Sequence, residues 1–262
     1  MIDSDIVSLL EEEALKMNHP DFIADDPVQF PRRFSDLRDI EIVSLLVSSI
    51  AWGNRKMILR DAEKMLALME YQPYRYLMEK GYEELPDGQN IHRTFFTQNF
   101  KHFLRGLNKV YNSFESIDDM VRRTGIAENE TPAWEIASNL NRIFKEVSNG
   151  KSDSRCLPLD TDKTALKRLN MALRWLVRND GIVDMGVWTS LKPSQLFIPL
   201  DVHVAGVSRD LGLLERRSND RRAVIELTET FREIKPEDPV VFDFALFGIG
   251  VTGRREMINH ES

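Results

Sequence analysis

Ile198-Pro199-Leu200-Asp201-Val202-His203-Val204 places a carboxylate directly before a predicted amphipathic helix. Apolar residues recur at helical spacing from Val204 to Leu214, with polar residues on the other side. We therefore expect Asp201 to be the N-cap, where its side chain accepts hydrogen bonds from free backbone N–H groups. The helix dipole favours negative charge at this position, so the segment predicts a fixed, oriented anion.

The rest of the chain also has the helical period, and no run shows convincing strand alternation. The sequence therefore predicts an all-α, compact multi-helix fold. Beyond the Asp201 helix, eight further helices are predicted. They run from Ser4 to Met17, from Asp39 through Ile50, from Asn54 through Met69, from Phe96 through Val110, from Ser116, from Thr131 to Gly150, from Lys163 to Arg178, and from Asp238 to an end near Gly250 to Gly253.

Residues 1–262 are interpreted as a single domain, because no low-complexity linker and no internal repeat interrupts them. The loop at 151–160 is the expected crossing point if the domain has two lobes. Only one cysteine, Cys156, is present, which excludes an internal disulfide and a four-cysteine iron–sulfur cluster. The five histidines lack metal-ligand spacing, so no metal and no other cofactor is expected.

No segment has the roughly 20 apolar residues of a membrane span, and the N-terminus does not resemble a signal peptide. We expect a cytoplasmic monomer. The net charge of −7 argues against nonspecific coating of nucleic acid, although an enzyme acting on DNA needs only a local positive face.

Such a face is predicted between Lys163 and Asn179, where no Asp or Glu occurs. On one continuous helix, four cations of this window would share a stripe about 60° wide and about 22 Å long. They are Lys163, Lys167, Arg174 and Arg178. A second basic cluster, which includes Arg216 and Arg217, follows the Asp201 helix. A basic stripe free of acids is the geometry that tracks phosphates.

The segment Pro199-Leu200-Asp201-Val202-His203 resembles the catalytic-aspartate segment of the helix-hairpin-helix DNA glycosylase superfamily. Asp39 through Asn54 is similar to the buried early helix of that fold, whose end faces the DNA, and Phe244-Ala245-Leu246-Phe247-Gly248 resembles its closing helix. The resemblance is nearest to the archaeal oxoguanine glycosylases. The whole chain also resembles a bacterial family, domain of unknown function 2400, through Lys167-Arg168-Leu169-Asn170-Met171 and Leu173-Arg174-Trp175.

The superfamily hairpin usually reads Leu-Pro-Gly-x-Gly-x-Lys-Thr-Ala, and this chain has Leu157-Pro158-Leu159-Asp160-Thr161-Asp162-Lys163-Thr164-Ala165. The resemblance points to Lys163 as the nucleophile, but both glycines are replaced and Asp201 follows 38 residues later. Lys167 is the alternative nucleophile. A third alternative is that neither lysine faces Asp201 and the enzyme activates water.

The resemblance implies a glycosylase with a two-lobed architecture that acts on a damaged base flipped from duplex DNA. Asp201 would stabilise the cationic sugar, and a lysine would form a Schiff base. Arg174 and Arg178 would hold phosphates, together with Asn54, Arg216 and Arg217. Trp52 would be a wedge or a stacking partner, and His203 either contacts phosphate or bonds within the core.

Two other classes of function remain. A noncatalytic nucleic-acid-binding protein with the same fold would bind duplexes in a salt-dependent manner and release no base. A helical protein-interaction scaffold would bind no DNA and would leave the basic stripe unexplained.

Overall fold

A computed structural model describes residues 2–252, with the side chains of residues 2–250, and their fold is almost entirely helical. The α-helices are α1 (Ser4–Met17), α2 (Pro20–Ala24), α3 (Leu37–Ser49), α4 (Arg55–Leu68), α5 (Pro73–Met78), α6 (Thr97–Tyr111), α7 (Ile117–Arg123), α8 (Pro132–Val147), α9 (Lys167–Val177), α10 (Val202–Asp210), α11 (Arg221–Ile234) and α12 (Phe242–Thr252). The all-α prediction is confirmed.

One two-stranded antiparallel hairpin, β1 (Asn90–His92) and β2 (Phe95–Phe96), departs from the prediction of no strands. These strands are three and two residues long, which is too short to show alternation in a sequence. Six short 3-10 helices occupy Pro27–Gln29, Pro31–Arg33, Gly81–Glu84, Ile126–Glu128, Pro193–Gln195 and Pro239–Val241.

Helix α3 lies at the centre of the fold, and its residues from Ile40 through Ser49 are all buried. It begins two residues earlier than predicted, because Asp36 is the N-cap and accepts a hydrogen bond from Arg38 N at 2.8 Å. Asp39 instead accepts one from Tyr74 N at the start of α5. The apolar face of α3 packs against α9.

Three predicted N-caps are confirmed. Asn54 Oδ1 accepts a bond from Met57 N, Ser116 Oγ from Asp119 N, and Asp201 Oδ1 from His203 N and Val204 N. Each cap satisfies backbone donors that have no partner within the helix. The last helix is displaced from the prediction, since Asp238-Pro239 opens a 3-10 turn and α12 begins at Phe242.

The helix predicted from Lys163 to Arg178 is wrong in its first turn and in the continuous basic stripe that it was expected to carry. Leu166 has a left-handed backbone with φ of 51°, which is costly for a branched residue, so α9 begins only at Lys167. Lys163 lies in the preceding turn. Arg174 and Arg178 are almost completely buried and so do not belong to an exposed stripe.

Helix α12 packs against both α1 and α10, so elements from the two ends of the chain become neighbours. Helix α9 packs against α3 and α8, and its Arg174 donates to Asp243 on α12. The starts of α9 and α10 and the body of α12 converge near the loop that joins α3 to α4. Within the described part of the chain, no helix combines the length and hydrophobicity that crossing a bilayer requires.

Candidate active site

A cavity of about 1040 Å³ lies where the starts of α9 and α10, the body of α12 and the α3–α4 loop converge. Its volume is at the upper end of the range for small-molecule sites, which is roughly 300–1,000 Å³. The partly exposed aromatic rings in its wall come from three separate segments. They are Phe22, Trp52 and Phe247.

Asp201 lines this cavity at the N-terminus of α10. Its Oδ1 accepts hydrogen bonds from His203 N at 2.9 Å and Val204 N at 3.0 Å. These bonds fix the carboxylate, and within residues 2–250 no ion pair neutralises it. The cap geometry therefore leaves Asp201 with a carboxylate directed by the helix and available to the cavity.

Lys167 lines the same cavity as Asp201 from the first turn of α9. Its side chain is half-buried, and its Nζ lies 3.6 Å from Met171 Sδ. No carboxylate within the described side chains forms an ion pair with it. The strained backbone of Leu166 directly precedes it, and such strain is common where a fold holds a functional residue in place.

Lys163 lies apart from this pair. Its side chain is 85% exposed and is 3.8 Å from Asp160 Oδ2, and it does not line the cavity. Of the two lysines predicted as nucleophiles, only Lys167 shares a cavity with Asp201. The backbone at Lys163 is held in place by the start of α11, because Arg221 N donates to the Lys163 carbonyl at 2.9 Å.

Two buried carboxylates in the cavity wall, Asp26 and Asp243, were not predicted from the sequence as site residues. Burial raises the pKa of Asp243, Arg174 opposes the rise, and the negative charge of Asp201 adds to it. Burial also raises the pKa of Asp26, against a hydrogen bond from Val28 N at 3.0 Å. The only sequence signal for Asp243 was its place directly before the recognised Phe244 segment.

Arg174 and Arg178 belong to a buried ion-pair network, which explains why they are not surface cations. Arg174 Nε donates to Asp184 at 3.2 Å and its Nη1 to Asp243. Arg178 donates to Asp184 at 3.0 Å and to Asp238 at 2.8 Å. Arg174 also lines the cavity, but Arg178 does not. Each guanidinium already satisfies buried carboxylates, so reaching a DNA phosphate would leave those charges unpaired.

Trp52 lines the cavity, and a buried histidine contacts its backbone carbonyl. His92 Nε2 lies 3.0 Å from the Trp52 carbonyl, and His92 Nδ1 lies 2.7 Å from Asp61 Oδ2. The two ring nitrogens of His92 therefore connect the Trp52 carbonyl to the Asp61 carboxylate. Arg93 covers the indole ring, with its Cζ 4.5 Å from the ring centroid.

The remaining predicted site residues are divided between the cavity and other parts of the surface. His203 is exposed and lines the cavity. Asn54 caps α4 and does not line it. Arg216 makes a two-pronged pair with Asp220, and Arg217 is exposed; neither lines the cavity. Asp201, Lys167, Arg174, Trp52 and His203 are thus the predicted residues that the fold brings together.

The model of a family described as a protein of unknown function (DUF2400) matches residues 26–252, so the chain belongs to this family. Searches of curated proteins and of solved structures returned no significant match. The family match includes the whole cavity wall except Phe22, which lies on α2. Asp201 and Lys167 both lie within it.

Proposed function

We propose that this protein is a DNA base-excision glycosylase with a helix-hairpin-helix glycosylase-like architecture, and that Lys167 is its nucleophile. The observation that carries the proposal is the shared cavity of Asp201 and Lys167, one an oriented carboxylate and the other a lysine that makes no ion pair with any described side chain. The superfamily that the chain resembles uses a cap-positioned aspartate of this kind. Lys163 plays no part, because it is exposed and outside the cavity.

In this mechanism a damaged base is flipped out of the duplex and enters the cavity between the aromatic rings. Positive charge develops on the sugar as the glycosidic bond weakens, and the Asp201 carboxylate stabilises that charge. The neutral amine of Lys167 attacks C1′, so the N–C1′ bond forms while the C1′–base bond breaks. The bonding electron pair leaves with the base, which takes up a proton.

The nitrogen then loses a proton. Its lone pair forms the C1′=N bond as the C1′–O4′ bond breaks and O4′ takes up a proton, which produces a protonated Schiff base between Lys167 and C1′. The ammonium form of Lys167 must first give up a proton. Asp26 and Asp243 line the same cavity, and Lys167 contributes to the electrostatic field at both carboxyl groups. Either of these two carboxylates can accept that proton, which leaves the Asp201 carboxylate to stabilise the cationic sugar.

The test uses duplexes that carry uracil, an oxidised guanine or an alkylated purine, incubated with the protein with and without borohydride. We expect Asp201→Asn to slow base release by about 100-fold or more, a typical cost of losing one preorganised electrostatic group. Its stability should change little, because asparagine is also a good N-cap. Lys167→Gln should remove the borohydride-trapped adduct, and the matched control Lys163→Gln should retain it.

Base release by the wild type without any trapped adduct would replace the lysine mechanism with water activation. Failure to release a base from any lesion would overturn the glycosylase proposal. Salt-dependent duplex binding without release would instead support a noncatalytic nucleic-acid-binding protein. The replacement of the two hairpin glycines by Leu159 and Thr161 is the observation that favours that alternative, since glycines permit the closest approach of backbone amides to a phosphate.

A further inference from the structure

We propose that Arg55, Arg93 and Arg155 form a phosphate-binding rim around the mouth of the cavity and that its ligand is the backbone of duplex DNA. The inference deepens the proposed function and rests on it for the identity of the nucleic acid. It assigns the contacts with DNA phosphates to residues outside the basic stripe that the sequence predicted between Lys163 and Arg178.

The first argument is the state of the arginines. Among the described side chains, six of the twelve exposed arginines are paired with a carboxylate, for example Arg75 with Glu79 and Arg142 with Glu146, and the half-buried Arg105 is paired with Glu83. Arg55, Arg93 and Arg155 are exposed too, but none of the three makes an ion pair within residues 2–250. In a chain with a net charge of −7, three exposed and unpaired guanidinium groups around one opening are a local positive field.

The second argument is convergence, since the three arginines come from separate segments. Arg55 is the first residue of α4 and lines the cavity, with its Cζ 5.0 Å from the centroid of the Phe247 ring. Arg155 lines it from the loop before α9. Arg93 follows β1 and lies over Trp52, itself part of the cavity wall.

The α3–α4 loop is shaped to admit the Arg93 side chain. Gly53 has φ of +100°, and a Cβ on it would lie 2.5 Å from Arg93 Nη1. Stacking on Trp52 and Phe247 orients Arg93 and Arg55, and no hydrogen bond among the described side chains occupies their N–H groups, which can donate to phosphate oxygens. Arg168 is excluded from the rim, because its guanidinium is largely buried and donates to the Ser49 carbonyl.

The third argument is the balance of charge inside the cavity. Asp26, Asp201 and Asp243 line it together with three cations, Lys167, Arg168 and Arg174, and Arg174 donates to Asp243. In formal charge these groups cancel, so the wall offers a free anion no excess of positive charge. A nucleotide in a strand fits this arrangement, because its phosphates contact the rim and only an uncharged base enters the cavity.

The test compares two triple variants that remove the same charge. The rim variant is Arg55→Gln with Arg93→Gln and Arg155→Gln, and the control is Arg75→Gln with Arg105→Gln and Arg142→Gln. Duplex binding is measured by fluorescence anisotropy across a range of salt concentrations, and thermal unfolding verifies that both variants fold. The rim variant should bind at least about 10-fold more weakly, with a log–log salt slope reduced by about 2 to 3, or roughly 0.9 for each phosphate lost.

The control should keep the wild-type slope and an affinity within about twofold, as expected for charges that are not at the interface. An equal loss of duplex affinity in both variants, or an unchanged salt slope in the rim variant, would contradict the proposal of a phosphate-binding rim. Base release by the wild type is measured separately, with protein in excess. Weaker duplex binding by the rim variant without base release by the wild type would support the phosphate-binding rim and contradict the glycosylase proposal. Base release without weaker binding by the rim variant would support the glycosylase proposal and contradict the rim.

Discussion

Individual carboxyl groups in this protein differ widely in their affinity for a proton. A hydrogen bond from Arg216 lowers the pKa of Asp220 to about 2, whereas burial raises that of Asp184 to about 6. Burial raises the pKa of Glu41 to about 7, against hydrogen bonds from Ile117 N, Asp118 N and Tyr111 Oη. Desolvation thus outweighs three donors at Glu41, which lies in the middle of α3.

Glu41 should make stability depend on pH. Its pKa is about 7 in the fold and 4.5 in the unfolded chain, so the native state holds the extra proton between these values. The free energy of unfolding should therefore fall by about 3 kcal/mol as pH rises from 4.5 through 7, relative to Glu41→Gln. Urea unfolding of both proteins at pH 4.5, 6 and 8 measures the difference. A constant difference would show that Glu41 titrates alike in both states.

At the scale of elements, α6 and α8 approach closely at Gly106. A Cβ at this position would lie 1.9 Å from Phe144 Cδ1, and the Phe144 ring is buried. Glycine inside a helix normally costs about 1 kcal/mol relative to alanine, so its benefit here comes from packing. The contact between the two helices requires a residue without a side chain.

Gly106→Ala should therefore destabilise the protein by about 2 kcal/mol, although alanine is the better helix former. Gly250→Ala is the matched control on α12, since its Cβ would lie at an ordinary 3.6 Å from Val207 Cγ2. Denaturant unfolding of both variants gives the comparison. Equal effects would mean that α6 and α8 can separate at little cost.

Local signals were sufficient to predict nine of the twelve described α-helices, and α2, α5 and α11 were not predicted. The ends of α1 agree with the predicted Ser4 and Met17, and the caps at Asn54, Ser116 and Asp201 follow from side-chain chemistry within three residues. The start of α9 could not be predicted, because the left-handed turn at Leu166 depends on tertiary contacts. Arg174 and Arg178 looked like surface cations because their partners, Asp184, Asp238 and Asp243, all lie outside the acid-free window.

At the scale of the whole molecule, the first helix is part of the same core as the last. Helix α1 lies before the segment that matches the family, yet it packs against α12, which carries Asp243 and Phe247. This explains why the cavity wall was only partly predictable. Asp26 and Asp243 lie far from Lys167 in the sequence, yet the fold brings both carboxyl groups within the electrostatic influence of this lysine.

Leu10→Ala should therefore destabilise the whole protein by about 2 to 5 kcal/mol, because Leu10 is fully buried in the main core. Leu15→Ala, on the same helix, should change stability by less than about 0.5 kcal/mol, since Leu15 is 78% exposed. Both are measured by denaturant unfolding, followed by circular dichroism. A small effect of Leu10→Ala would mean that α1 is dispensable for the fold.

The bonds behind Trp52 have a mechanical consequence. Displacing this loop would take the Trp52 carbonyl away from His92 Nε2 and leave a buried ring nitrogen without that partner. The loop that carries Trp52 should therefore resist movement when a molecule enters the cavity. We therefore expect any closure around an entering molecule to occur at the start of α10, where the exposed Val202 and His203 line the cavity.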